Sequence, residues 1–167
     1  MRIEITKGKT EDFIRITRTN GAVADTRFPK KGPFPHDLVH VVVEEALQLQ
    51  QGFWGTIAGG RHPEDIQALA AALGHASASK AEVPDPSIIE LIQAERLVEC
   101  FEAEIWGGPA ALDDLQSVAD AAFSQSRVPR IVLTEAGVAG IRARLARLSA
   151  EWAALPVGGK IAFTWTA

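Results

Sequence analysis

The chain alternates apolar and polar residues at its two ends and not in between. Ile3 and Ile5 are set against Arg2, Glu4 and Thr6, and residues 13–19 repeat the pattern with Ile14 and Ile16 against Phe13, Arg15 and Thr17. Period two is the mark of a strand with one buried face. Asn20-Gly21 follows at once. Both residues tolerate the positive φ of a type I′ turn, so a tight hairpin into Ala22–Phe28 is predicted. Lys160–Thr166 alternates again, with Ile161, Phe163 and Trp165 on one side. The predicted class is therefore α+β: an antiparallel sheet of about four strands, a three-stranded N-terminal meander joined by the C-terminal strand, packed against a helical middle.

The middle is punctuated by proline and glycine. Pro29, Pro33 and Pro35 stiffen the connection out of the meander. Pro35 fits the first turn of a helix running to about Gln50, with Gly52 as its C-cap. The segment GFWGTIAGG reads as either a short helix or a buried turn, and Glu64–Leu73 as a helix ended by Gly74. Residues 76–87 form the best loop. Ser87 is the expected N-cap of a long helix, Ile88–Trp106, with Glu90 completing a capping box. Pro109 opens another helix to about Ser126, and residues 135–154 form the last one. With 167 residues, one domain spanning 1–167 is expected, large enough to bury its core without disulfide or metal.

Cys100 is the only cysteine, which excludes an intrachain disulfide and any Cys-based zinc or iron–sulfur site. No apolar run approaches the ~18 residues of a membrane helix, and the start lacks the apolar core of a secretory signal. A cytoplasmic protein with no membrane partner is expected. The net charge is −4, unevenly spread: residues 1–31 hold eight basic and four acidic side chains. A basic sheet face can attract an anion or nucleic acid. No helix-turn-helix or aromatic–basic signature accompanies the charge, so nucleic acid is not an expected partner. G-x-S-x-G and both phosphate-cradling glycine motifs are absent.

One helix carries an arrangement with chemical promise. His36, His40 and Glu44 recur at i, i+4 and i+8, and each step drifts by only about 40°, so neighbours share a face. Histidines at i and i+4 can reach one zinc ion. The five residues HDLVH resemble the H-E-x-x-H helix of the zincins, with Asp37 standing where that motif has glutamate. The resemblance implies His36 and His40 as metal ligands and Asp37 as general base. It does not fix a third ligand: Glu44 is one candidate, and Glu95, Glu99 and Glu102 of the long helix are others. Glu95 and Glu102 border that helix's apolar seam, and carboxylates so placed usually have a partner. Arg142, Arg144 and Arg147 are the preferred partners; a shared metal is the alternative. His62 and His75 flank the second helix as surface or capping residues. Plain amphipathicity also accounts for the first helix. Leu38, Val39, Val42, Val43, Ala46 and Leu49 form its apolar face, with His36 at the edge and Asp37, His40, Glu44 and Gln48 on the polar arc.

The preferred reading is a non-enzymatic interaction or scaffold domain that binds a protein partner or another copy of itself. The alternatives are a small metal-dependent hydrolase holding zinc, manganese or iron on the His36/His40 helix, and a basic sheet that binds anions or nucleic acid.

Overall fold

Isoleucines at alternate positions build the sheet. The computed structural model describes residues 1–30, 32–66, 68 and 84–166. Strands β1 (Arg2–Thr6), β2 (Glu11–Thr17), β3 (Val23–Pro29) and β4 (Lys160–Thr164) form one antiparallel sheet in the order β3-β2-β1-β4. In register, Ile3 faces Ile16 and Phe163, and Ile5 faces Ile14 and Ile161. The C-terminal strand joins the meander through β1, and the ends of the chain bond to each other: Trp165 N–H donates to Met1 O at 2.7 Å.

The hairpin between β2 and β3 turns differently from the expected type I′. Only Gly21 has positive φ (82°); Asn20 does not. Gly21 N–H donates to Arg18 O at 3.0 Å, and Arg18 N–H to Ala22 O at 2.8 Å. This is the three-residue loop with glycine in the left-handed position, which also suits the sheet's twist.

Among the described residues, helices follow the pattern of the middle segment: α1 (His36–Leu47), α2 (Phe53–Ala58), α3 (Ile89–Gly107), α4 (Leu112–Ser126) and α5 (Glu135–Ala154). Residues 63–66 are also helical; the remainder of the expected helix Glu64–Leu73 and most of the loop 76–87 lie outside the described residues. Three boundaries differ from expectation. Gln48 (φ 56°) closes α1, whereas Gly52 precedes α2 instead. Ser87 does not cap α3: Asp85 accepts the Ser87 N–H and opens a short 3₁₀ turn at Pro86–Ile88, while Glu90 accepts the Gln51 N–H at 2.6 Å. The helix after Pro109 begins only at Leu112.

Helix α1 is the centre of the molecule. It packs against α2, α3 and α5, and every residue from Leu38 to Glu44 is buried. Seven consecutive residues cover nearly two turns, so this stretch has no solvent-facing side. The expected polar arc is thus overturned at His40 and Glu44: it turns toward α3 and the start of α2, not toward water. One apolar cluster runs from Ile3, Ile5, Ile14 and Ile16 through α1 to Phe101, Phe123 and Trp152. Among the described residues, no helix is long and apolar enough to cross a membrane.

Candidate metal centre

The polar residues of α1 meet a carboxylate from α3 at one point. His36 Nε2 and His40 Nε2 are 3.1 Å apart. Glu95 Oε2 is 3.1 Å from His40 Nε2, and Glu95 Oε1 is 3.6 Å from His36 Nε2. These three residues form the one group that the described residues offer with three metal-ligating atoms mutually within 4.8 Å. Ligands at about 2.0–2.1 Å from one ion stand roughly 2.9–3.4 Å apart at the edges of an octahedron or tetrahedron. The two 3.1 Å separations fall within that range, and the 3.6 Å separation from Glu95 to His36 is slightly longer.

The other nitrogen of each ring faces a further carboxylate. His40 Nδ1 lies 2.8 Å from Glu44 Oε1, and His36 Nδ1 lies 2.9 Å from Glu102 Oε1. Assigned from these partners, each Nδ1 carries the proton and donates it to a carboxylate. A neutral ring then aims its Nε2 lone pair at the other ring and at Glu95. Three acceptors converging without a donor require a cation between them, either protons on the rings or a metal ion. Imidazoles that ligate metals almost always donate their second N–H to such an outer carboxylate or carbonyl. Both histidines here do so.

The electrostatics follow from this crowd of carboxylates. Burial works against charging His40, but hydrogen bonds to Glu44 and Glu95 outweigh it and lift its pKa from 6.5 to about 10. Burial likewise opposes charge on His36, yet Glu102 and Glu95 raise its pKa on balance. Burial would raise the pKa of Glu95, but hydrogen bonds from His36 and His40 hold it far below the usual carboxylate range. The group is sealed on one side and reaches the surface on the other. Side-chain exposure is 0% at Glu44 and 3% at His40, against 28% at Glu95 and 30% at Glu102.

All five of these residues are candidates on sequence, with the third ligand left open among the carboxylates. Glu44 does not meet the Nε2 pair. Its oxygens accept the backbone N–H groups of Phe53 and Trp54, each at 3.0 Å, besides His40 Nδ1. Glu99 turns away and pairs with Arg96 at 2.7 Å. Asp37 is about 100° round the helix from His36 and is not part of the group; its carbonyl accepts Trp54 Nε1–H at 3.0 Å. The arginines preferred as partners for the seam carboxylates go elsewhere. Arg142 pairs with Glu104, Arg144 pairs with Glu45, and Arg147 is exposed. His62 accepts the Glu64 N–H at 3.4 Å, and His75 lies outside the described residues. Cys100 is buried, and burial pushes its thiol pKa up. On the outer face of the sheet, much of the basic charge has a carboxylate neighbour: Arg15 with Asp25, and Arg2 and Lys160 with Glu4.

Comparison with protein-family models, with curated proteins and with solved structures found no match to this chain.

Proposed function

We infer that this protein binds a divalent first-row transition metal through His36 Nε2, His40 Nε2 and Glu95, and that it is a small metal-dependent enzyme, a hydrolase in the first instance. One observation carries the reading: two imidazole Nε2 atoms and a carboxylate converge close to metal-ligand spacing while each outer nitrogen has a further carboxylate beside it. Three protein ligands characterise catalytic zinc sites, where closed structural sites use four. Two histidines and one carboxylate also suit non-haem iron. A bound divalent ion supplies an acidified water and polarises a carbonyl or phosphoryl oxygen. The chain's own part is to orient both rings, to bring two further carboxylates alongside, and to shield the Glu44 side from water.

A neutral His pair with Glu44, Glu95 and Glu102 carries three negative charges. A divalent cation reduces this to one, as would two protons on the rings. An ion network satisfied by protons alone, inside an interaction domain, is therefore the competing reading. Elemental analysis and zinc titration of untagged protein separate the two. The expected result is near one equivalent of zinc, manganese or iron in the wild type and in Glu99→Ala, and its loss in Glu95→Ala and in His36→Ala/His40→Ala. Failure of the folded wild type to take up metal, with an unchanged melting temperature in excess zinc, would leave the proton network and the scaffold reading standing.

A further inference from the structure

The carboxylate that holds His40 is itself seated by a glycine with no chemistry of its own. Gly52 has φ −67° and ψ −167°, extended backbone that any residue adopts. Conformational freedom therefore does not explain a glycine there; space does. A Cβ on Gly52 would stand 2.5 Å from both Cδ and Oε2 of Glu44 and 3.0 Å from its Cγ. Glu44 is fully buried, and a close-packed interior leaves the carboxylate nowhere to retreat. The bare Cα lets Glu44 lie across the start of α2. There Phe53 N–H donates to Oε1 and Trp54 N–H to Oε2, each at 3.0 Å. These two bonds fix the plane of the carboxylate while Oε1 also accepts His40 Nδ1–H at 2.8 Å. The Phe53 ring, 5.5 Å from the His40 ring between centroids, packs beside it.

We propose that Gly52 and Glu44 are positioning residues of the metal centre: the glycine makes room for the carboxylate, the carboxylate holds the His40 ring, and the ring presents Nε2 to the ion. Only the last step rests on the metal reading above; the first two are properties of the metal-free protein. Outer carboxylates of this kind contribute roughly 10–100-fold to metal affinity. Gly52→Ala should weaken zinc binding in that range although it touches no ligand atom.

The test begins without metal. Amide proton shifts of Phe53 and Trp54 and ring nitrogen shifts of His40 are measured by NMR in wild type, Gly52→Ala and Glu44→Gln. Zinc titration of the three and of the double variant follows. Gly52→Ala is expected to move the two amides and His40 Nδ1 in the same sense as Glu44→Gln. The double variant should bind zinc no more weakly than the weaker single variant, because both act through one contact. Gly59→Ala is the control: at the far end of α2 its Cβ would stand 3.4 Å from Thr56 O, an ordinary contact away from Glu44, and zinc affinity should stay within a few-fold of wild type. Unmoved His40 resonances in Gly52→Ala, or zinc losses that add in the double variant, would overturn the proposal. If Gly52→Ala does not fold, Glu44→Gln, which adds no volume, decides through the same His40 resonances. Absence of zinc binding by the wild type defeats the metal reading alone, and the NMR comparison still decides the Gly52–Glu44–His40 chain.

Discussion

Glu44 has no exposure to water, yet three donors reach its two oxygens: two backbone amides and one imidazole. A buried charge is tolerable only when it is paired and hydrogen-bonded in this way. Removing one partner leaves the others uncompensated, which typically costs about 3–5 kcal/mol. Glu44→Ala is therefore expected to lose stability of that order, read as a lower urea midpoint with an unchanged slope. Glu99 is a contrasting case four residues along α3 from Glu95. Its side chain is half exposed and pairs with Arg96 three residues away, the kind of contact whose contribution is about 0–1 kcal/mol. Charge alone does not distinguish these glutamates; enclosure does.

Helices α1 and α3 divide the work at the level of elements. Helix α1 supplies both imidazoles on successive turns, and α3 supplies Glu95 and Glu102 seven residues apart, close to two full turns. Each histidine thus finds its own carboxylate across the interface. Leu91, Ala94, Val98 and Phe101 on α3 are all buried and hold that register. The end of α1 is less settled in energy. Gln48 is exposed and sits at φ 56°, a left-handed conformation unfavourable to a residue with a Cβ. Gln48→Gly removes that strain at some loss to unfolded-chain entropy. A gain of about 0.5–1 kcal/mol is expected, measurable by thermal melting, with no change in zinc stoichiometry because the Gln48 side chain bonds the Glu45 carbonyl and reaches no side chain of the site.

For the molecule as a whole, the site ties stability to pH. His40 has its pKa raised to about 10 and that of His36 is also raised. Their contribution to the metal-free protein is complete below the ordinary 6.5 and is lost as pH rises toward 10. Glu95 has its pKa lowered, so its contribution is complete above the ordinary 4.5 and is lost as the medium becomes acidic. The two shifts describe one interaction from its two sides, and they place the stability maximum of the metal-free protein between about 4.5 and 6.5. Melting temperatures of chelator-treated protein are expected to be higher at pH 6 than at pH 9; an equal or higher value at pH 9 would contradict this assignment. Zinc should reverse the alkaline loss, because neutral imidazole is the ligating form. Saturation at a hundred times the dissociation constant adds about 2.7 kcal/mol.

The architecture was legible in the sequence because it rests on periodicity, a local property. Alternation at Ile3, Ile5, Ile14, Ile16 and Ile161 specified which strand faces are buried, and spacing on α1 brought His36 and His40 to one side of a helix. The same local logic could not say what covers that side. His40 and Glu44 fall on a polar arc by wheel geometry, and only the packing of α3 and α2 against that arc makes it an enclosed site. Wheel geometry set Glu95 and Glu102 beside the seam of α3 but could not say which of them meets the Nε2 atoms, since that depends on the angle at which α3 crosses α1. Gly52 read as a helix end because glycine usually marks one. Its place against the Glu44 carboxylate is a through-space contact between residues eight apart, and tertiary structure alone creates it. Sequence determined the elements and the chemistry they carry; packing decided which carboxylates meet the histidines, because desolvation and distance belong to the assembled core and to no single segment.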